Sequence, residues 1–204
     1  MAFWSDDIAG ASDPKRKYRF TVEFPGLTGL TEDTAVEGGG ATTGIVWYAK
    51  SVTKPSFSLT ETDHTFLDKK FYYPGRLEWA TVTLTLVDPA DPTQKADAVQ
   101  QMNKIVKKSG YQMFKSPETL GTISKGKASQ AMGTIVINQI NSEGTTIEQW
   151  VLRNPFVKDL KFGDLDYTGD ELIELSMEIR YDWAECTVGG ETYFGRAIQD
   201  TDQG

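Results

Sequence analysis

Strict two-residue alternation narrows what this chain can fold into more than any other feature. In residues 78–87, Ala80, Val82, Leu84 and Leu86 share one parity, and Thr81, Thr83 and Thr85 hold the other. In residues 171–183, Ile173, Leu175, Met177, Ile179 and Tyr181 alternate with Glu174, Ser176, Glu178 and Arg180. Side chains alternate across a strand and not across a helix, so each segment reads as a strand with one buried face and one wet face. The period gives which residues share a face, not which way that face points.

The same period recurs along the chain. Residues 18–24 (YRFTVEF) place Tyr18, Phe20, Val22 and Phe24 together, and Pro25-Gly26 ends the run. Residues 27–44 are polar and contain Gly38-Gly39-Gly40, which predicts a long mobile surface loop. Residues 45–52 read as a strand, and 57–64 with 67–73 as two arms of a hairpin. Residues 134–140 and 145–152 flank the turn Asn141-Ser142-Glu143-Gly144, and 156–162 form another strand. One helix stands out. Asp91-Pro92-Thr93-Gln94 supplies an N-cap, a first-turn proline and a capping-box glutamine. Val99, Met102, Ile105 and Val106 then form an apolar stripe, with Lys107 and Lys108 at the negative end and Gly110 as the stop.

These elements predict a mainly β (α+β) fold, a two-sheet β-barrel or sandwich with one flanking α-helix. The organisation expected is an N-terminal arm over 1–17, a β-barrel domain over 18–183 with 27–44 inserted, and a loose C-terminal extension over 184–204.

Composition removes several function classes. The 204 residues suit one domain. Lys plus Arg is 21 and Asp plus Glu is 29, a net charge of −8, which argues against a basic nucleic-acid or anionic-membrane binder. One cysteine allows no internal disulfide, and one histidine allows no multi-histidine metal site. The start, MAFWSDDIAGASDPKRK, lacks the apolar core of a signal peptide, and no apolar run approaches the ~20 residues of a membrane helix. These features predict a chain without a membrane anchor, kept in a reducing aqueous compartment unless a larger assembly carries it out.

The chemical motifs are imperfect. Residues 121–129 (GTISKGKAS) come close to a phosphate loop, but Ala128 stands where the metal-binding hydroxyl belongs, and a flexible solvated loop is expected there. Asp164, Asp166, Thr168 and Gly169 echo the start of a calcium loop, but Leu175 replaces its bidentate acid, which leaves a strand-joining turn with solvated acids. His64 and Cys186 are a formal base–nucleophile pair with nothing local to join them. The reading is a non-enzymatic β-domain with no catalytic, cofactor or metal residues.

Three stretches together resemble the tail tube proteins of contractile-tailed bacteriophages. Residues 71–88 (FYYPGRLEWATVTLTLVD) are similar to that family's central strand, with Gly75-Arg76 ahead of Trp79. Residues 132–152 are a hairpin leading into a tryptophan-containing strand. Residues 154–183 (NPFVKDLKFGDLDYTGDELIELSMEIRYDW) match a strand, an acidic Leu-Asp turn and a final long strand ending in Tyr-Asp and an aromatic. The resemblance spans 18–183, and the stretches 27–44 and 185–204 look like additions to the family core. It implies hexameric rings stacked into the inner tube of a contractile tail, inside a sheath protein and between baseplate and tail terminator proteins. It implies a virion protein assembled in the host cytoplasm, with genomic DNA passing through the lumen unbound. Type VI secretion tubes and extracellular injection systems share the fold and are the alternative.

Within that resemblance, two surfaces are candidates. Phe66, Phe71, Tyr72, Tyr73 and Arg76 on the hairpin are expected at the ring-to-ring contact, where aromatics mixed with charge suit docking. Glu174, Ser176, Glu178 and Arg180, with Thr81, Thr83 and Thr85, are candidates for the lumen lining. An acidic lumen would repel a duplex and keep it centred. The competing readings are that the aromatics fold back on their own barrel and the polar faces are ordinary outer surface. A monomeric β-sandwich that binds ligands through Trp47 or Trp79 is the alternative of another class.

Overall fold

The structure is a computed structural model of the chain and describes residues 14–25, 49–88, 98–111 and 122–194. Among the described residues, the elements run in the order β1 Phe20–Glu23, β2 Ala49–Val52, β3 Phe57–Phe66, β4 Lys69–Trp79, β5 Val82–Val87, α1 Ala98–Lys108, α2 Lys125–Met132, β6 Ile135–Ile140, β7 Thr146–Arg153, β8 Phe156–Lys161, β9 Glu174–Arg180, β10 Trp183–Val188 and β11 Glu191–Tyr193. They form a five-stranded sheet, β1-β6-β7-β10-β11, a four-stranded sheet, β2-β5-β9-β8, and the separate hairpin β3-β4. Every pairing is antiparallel.

The expected two-sheet, mainly β architecture is present, and alternation accounts for it. In β5, Val82, Leu84 and Leu86 are fully buried, and they sit opposite Ile179, Met177 and Leu175 of β9. From the other sheet, Val22, Ile135, Ile137, Leu152 and Ala184 join the same cluster. Apolar atoms removed from water between two sheets supply the main driving force. The alternation overreached only at strand ends. Ala80 and Ile173 keep the core parity but are exposed, because the chain turns between β4 and β5 and β9 begins at Glu174. Tyr18 is likewise exposed, two residues ahead of β1.

Helix α1 buries Ala98, Met102 and Ile105, and Val99 packs on the core edge. Gly110 has φ +100 where the helix stops, and the Tyr111 amide donates to the Val106 carbonyl at 3.3 Å. The N-cap read at Asp91-Pro92-Thr93-Gln94, the loop over 27–44 and Trp47 lie outside the described residues.

Two expectations are corrected. A second helix, α2, occupies the near-phosphate-loop segment that was expected to be a loop. Ser124 caps it, accepting from the Lys127 amide at 3.3 Å, and Ala128, Ala131 and Met132 are buried. Gly126 and Lys127 therefore lie inside its first turn, not in a loop ahead of it. The tail expected to be loose after residue 183 instead continues, through Tyr193, as the hairpin β10–β11. Its strand β10 pairs along β7, with Ala184 opposite Leu152 and Cys186 opposite Trp150. Small residues at the buried parity fit there, which the polar composition of the segment hid.

We expect Leu84→Ala to lower unfolding free energy by about 3 kcal/mol, because a fully enclosed site collapses poorly around the lost atoms. Urea denaturation followed by circular dichroism measures this.

Candidate assembly surfaces

The longest strands among the described residues face water on both sides. β3 has 10 residues and β4 has 11, and only Trp79 among them is even half-buried. A two-stranded ribbon is marginal without a sheet or helix behind it. Its aromatics do not fold back on the barrel: Phe66 is 62% and Tyr72 60% exposed, and Phe71 and Tyr73 are also exposed. All of the side chains expected at a ring-to-ring contact therefore sit together on this ribbon, with Arg76 nearer its root. Register pairs Thr62 with Tyr73 and His64 with Phe71, which gathers Tyr73, Phe71, His64 and Phe66 on one face. On the other face, Lys70 bonds Asp63 at 2.8 Å and lies 5.4 Å from the Tyr72 ring centre.

A bulge between Leu59 and Glu61 bends the ribbon, with the extra residue on β4. Gly75 makes it possible. A Cβ there would stand 2.3 Å from Thr60 Oγ1 and 2.9 Å from the Thr60 carbonyl oxygen. The Thr60 hydroxyl accepts from the Arg76 amide at 2.7 Å, closing the bulge. The apex turn is Leu67-Asp68, so Leu67 belongs to the turn and not to the second arm.

Aromatic side chains fix the ribbon's root. Phe57 and Trp79 meet edge-on at 5.3 Å, Trp79 reaches Tyr181 at 5.9 Å, and Phe194 contacts Phe57 at 5.4 Å and Trp79 at 6.0 Å. Burial pushes the Tyr181 hydroxyl up to about 12, with the Ser56 backbone opposing it. Beside the root opens a groove of about 700 Å3, whose walls include Leu77, Trp79, Ile123 and Phe156. At its side Lys125 holds Asp182 at 2.8 Å, which keeps that carboxyl below its usual range, and Asn154 adds a bond at 3.0 Å. Phe194, Ile123 and Leu67 were not singled out from the sequence. Leu67 alone left a signal there, a leucine where a hairpin turn favours glycine or asparagine.

The wet face of the four-stranded sheet gathers the other candidate residues. Thr83 is opposite Glu178 and Thr85 opposite Ser176. Thr81 donates to Glu178 at 2.6 Å, and Lys158 bonds the same carboxylate at 2.8 Å, so Lys158 first and Thr81 second hold Glu178 below its usual range. Lys50 pairs with Glu174. Arg180 keeps the same parity but lines the groove at the ribbon's root. The face thus carries hydroxyls, two closed ion pairs, and exposed Asp159 and Lys161 opposite Glu178 and Ser176, so both signs of charge are present. Among the described residues, β2 and β8 are each paired on one side only.

One buried carboxylate ties the chain together between the sheets' ends. Glu148 is 8% exposed and meets Lys15, Lys54 Nζ at 2.7 Å and the Trp150 indole N–H at 2.6 Å. Burial alone would raise it, but those three partners outweigh burial and bring it down to about 2. Burial, with Glu148 beside it, raises the Cys186 thiol. His64 stands on the exposed ribbon and Cys186 is buried in β10, so the two are on different sheets. Asp166 folds its carboxylate onto Thr168, whose amide is at 3.0 Å and hydroxyl at 2.7 Å. Among the described residues, no three His, Cys, Asp or Glu side chains converge as a metal site, and no helix is long and apolar enough to cross a membrane.

No protein-family model and no curated protein sequence matches the chain. Solved structures do match. A chain of the anti-feeding prophage cap, the AFP tube-terminating cap, superposes with a TM-score of 0.59 at 19% identity, over 92% of this chain and 99% of that one. A chain of the sheath/tube terminator of an extracellular contractile injection system, PVC, in its extended state gives 0.57 at 17%, over 87% and 99%. A chain of the PVC sheath–tube complex gives 0.53 at 16%, over 87% and 94%. The fold is therefore that of chains found in the tube-terminating cap, the sheath/tube terminator and the sheath–tube complex of contractile injection systems.

We expect Gly75→Ala to speed amide exchange across β3 and β4, while the melting of the two-sheet core changes little; hydrogen-exchange mass spectrometry separates the two. Glu148 gives a second expectation. Its carboxyl is depressed in the folded chain, so its contribution is present above about pH 4.5 and fades as pH falls toward 2. Glu148→Gln should lose roughly 2 kcal/mol at neutral pH and show a flatter acid-stability profile over that window.

Proposed function

We propose that this chain is the subunit of the inner tube of a contractile tail, with copies closing into rings and rings stacking into a hollow conduit. The observation that carries the reading is the four-stranded sheet. Its two outer strands run in opposite directions, because β2, β5, β9 and β8 are antiparallel in turn. A neighbour's β8 laid against β2 therefore continues the same antiparallel pattern. Exposed strand edges invite such pairing, and a head-to-tail contact closes into a ring when its rotation closes. Six copies are the ring size the resemblance implies.

In that arrangement the wet face of the sheet becomes the lumen. Thr81, Thr83, Thr85 and Ser176 offer hydroxyls, and Glu174 and Glu178 offer carboxylates already engaged by Lys50 and Lys158. A phosphate backbone gains affinity by releasing counterions to unpaired cations. Lys50 and Lys158, already bound to carboxylates, hold a passing duplex weakly, and exposed Lys161 has acidic Asp159 and Glu178 on the same face, which suits a conduit for genomic DNA. The ribbon with Phe66, Phe71, Tyr72, Tyr73 and Arg76 makes the ring-to-ring contact. A sheath protein surrounds the tube, and baseplate and terminator proteins stand at its ends.

A second reading places the same tube in an extracellular injection particle that delivers protein. The likeness to chains of the anti-feeding prophage and PVC particles favours it. The two readings share the ring and differ in cargo.

Negative-stain electron microscopy and sedimentation of the purified chain test the proposal, with rings and stacked tubes expected. A strict monomer at every concentration, forming no filament, would overturn it. Nucleic acid or protein recovered from within assembled particles decides between the two readings.

A further inference from the structure

The ribbon's apex is built against the interest of the free subunit. Leu67 has φ +56, in the left-handed region where glycine and asparagine are at ease and a branched side chain is strained. The same leucine is 85% exposed and adjoins exposed Phe66. Neither the turn nor the core explains an apolar side chain held there at such strain.

A matching receptor lies at the opposite end of the ribbon. The groove beside the root has apolar walls of Leu77, Trp79, Ile123 and Phe156, with Glu78 and Arg180 at its sides. Among the described residues, neither Glu78 nor Arg180 is in an ion pair. The apex carries Asp68 and Lys69 next to its two apolar residues. Acid can face Arg180 and base can face Glu78, so the two patches complement each other in apolar character and in both signs of charge.

We propose that Phe66 and Leu67 of one copy seat in this groove of a second copy in the adjoining ring. The inference rests on the tube reading and names the receiving surface for the ribbon. Apex and groove are separated by the ribbon's length, roughly 30 Å at ~3.3 Å per residue. Unlike patches at two ends of one molecule make a head-to-tail contact, which along an axis repeats without closing.

The test uses the full chain with its one cysteine removed by Cys186→Ser. Leu67→Cys and Ile123→Cys are made as separate proteins, mixed, allowed to assemble and oxidised. Mixed disulfide dimers are expected, and a covalent ladder from the protein that carries both changes. Tubes on the grid without mixed disulfides would overturn the groove assignment and leave the tube reading standing. A monomer that forms neither rings nor tubes would overturn both. Leu67→Gly in the otherwise unchanged chain supplies a readout independent of the cysteine background. Its melting temperature should hold or rise because the turn is relieved, while the protein concentration needed for stacking rises about ten-fold or more. Stacking equal to the parent chain would overturn the proposal.

Discussion

The paired apolar layer of β5 and β9 is the constraint from which the rest of the molecule follows. Val82 lies opposite Ile179, Leu84 opposite Met177 and Leu86 opposite Leu175, and all six are buried. A one-residue slip of β9 would drive Ser176 and Glu178 into the core and put its own apolar row in water, and a slip of β5 would do the same with Thr83 and Thr85. Burying an ionised carboxylate without partners is far costlier than losing a methylene contact. Register is thereby locked, and with it the identity of the wet face. Lys50 and Lys158 can reach Glu174 and Glu178 only because those acids are held outward.

The ribbon obeys a different balance. Its own residues bury almost nothing, so its direction is set at the root, where Phe57, Trp79, Tyr181 and Phe194 meet. The bulge at Gly75 adds a bend that the side chain of any other residue would obstruct. Sheet and ribbon thus divide the labour. One is locked by enclosed packing, and the other is held at one end and left to find its partner surface elsewhere.

Much of this was legible in the sequence, because alternation reports burial directly. The strands around Leu84 and Met177, the α1 stripe and the turn at Asn141 follow from local rules; the Asn141 side chain accepts from the Glu143 and Thr145 amides at 2.9 and 2.8 Å. What escaped depended on partners distant in the chain. The eight-residue helix α2 has a weak amphipathic signal, and its likeness to a phosphate loop argued for a loop, yet Met132 is anchored in the common core. The strand β10 reads as a polar tail until β7 is placed beside it. Of the candidate surfaces, face-sharing among Thr83, Thr85, Glu174 and Ser176 was readable from parity alone. The ion pairs of that face were not, since parity does not say which strand lies alongside: Lys50 reaches Glu174 from β2, distant in the chain, and Lys158 reaches Glu178 across the β8–β9 register.

The tryptophans carry a consequence of their own. Trp79 stands edge-on to aromatic neighbours at the joint between ribbon and sheets, whereas the half-buried Trp150 indole on β7 donates to the Glu148 carboxylate. Their surroundings differ enough for each to work as a native optical gauge. With the other tryptophans of the five replaced by phenylalanine, emission from the first should follow the angle of the ribbon, and emission from the second the protonation of the Glu148 carboxyl, with no dye attached to either.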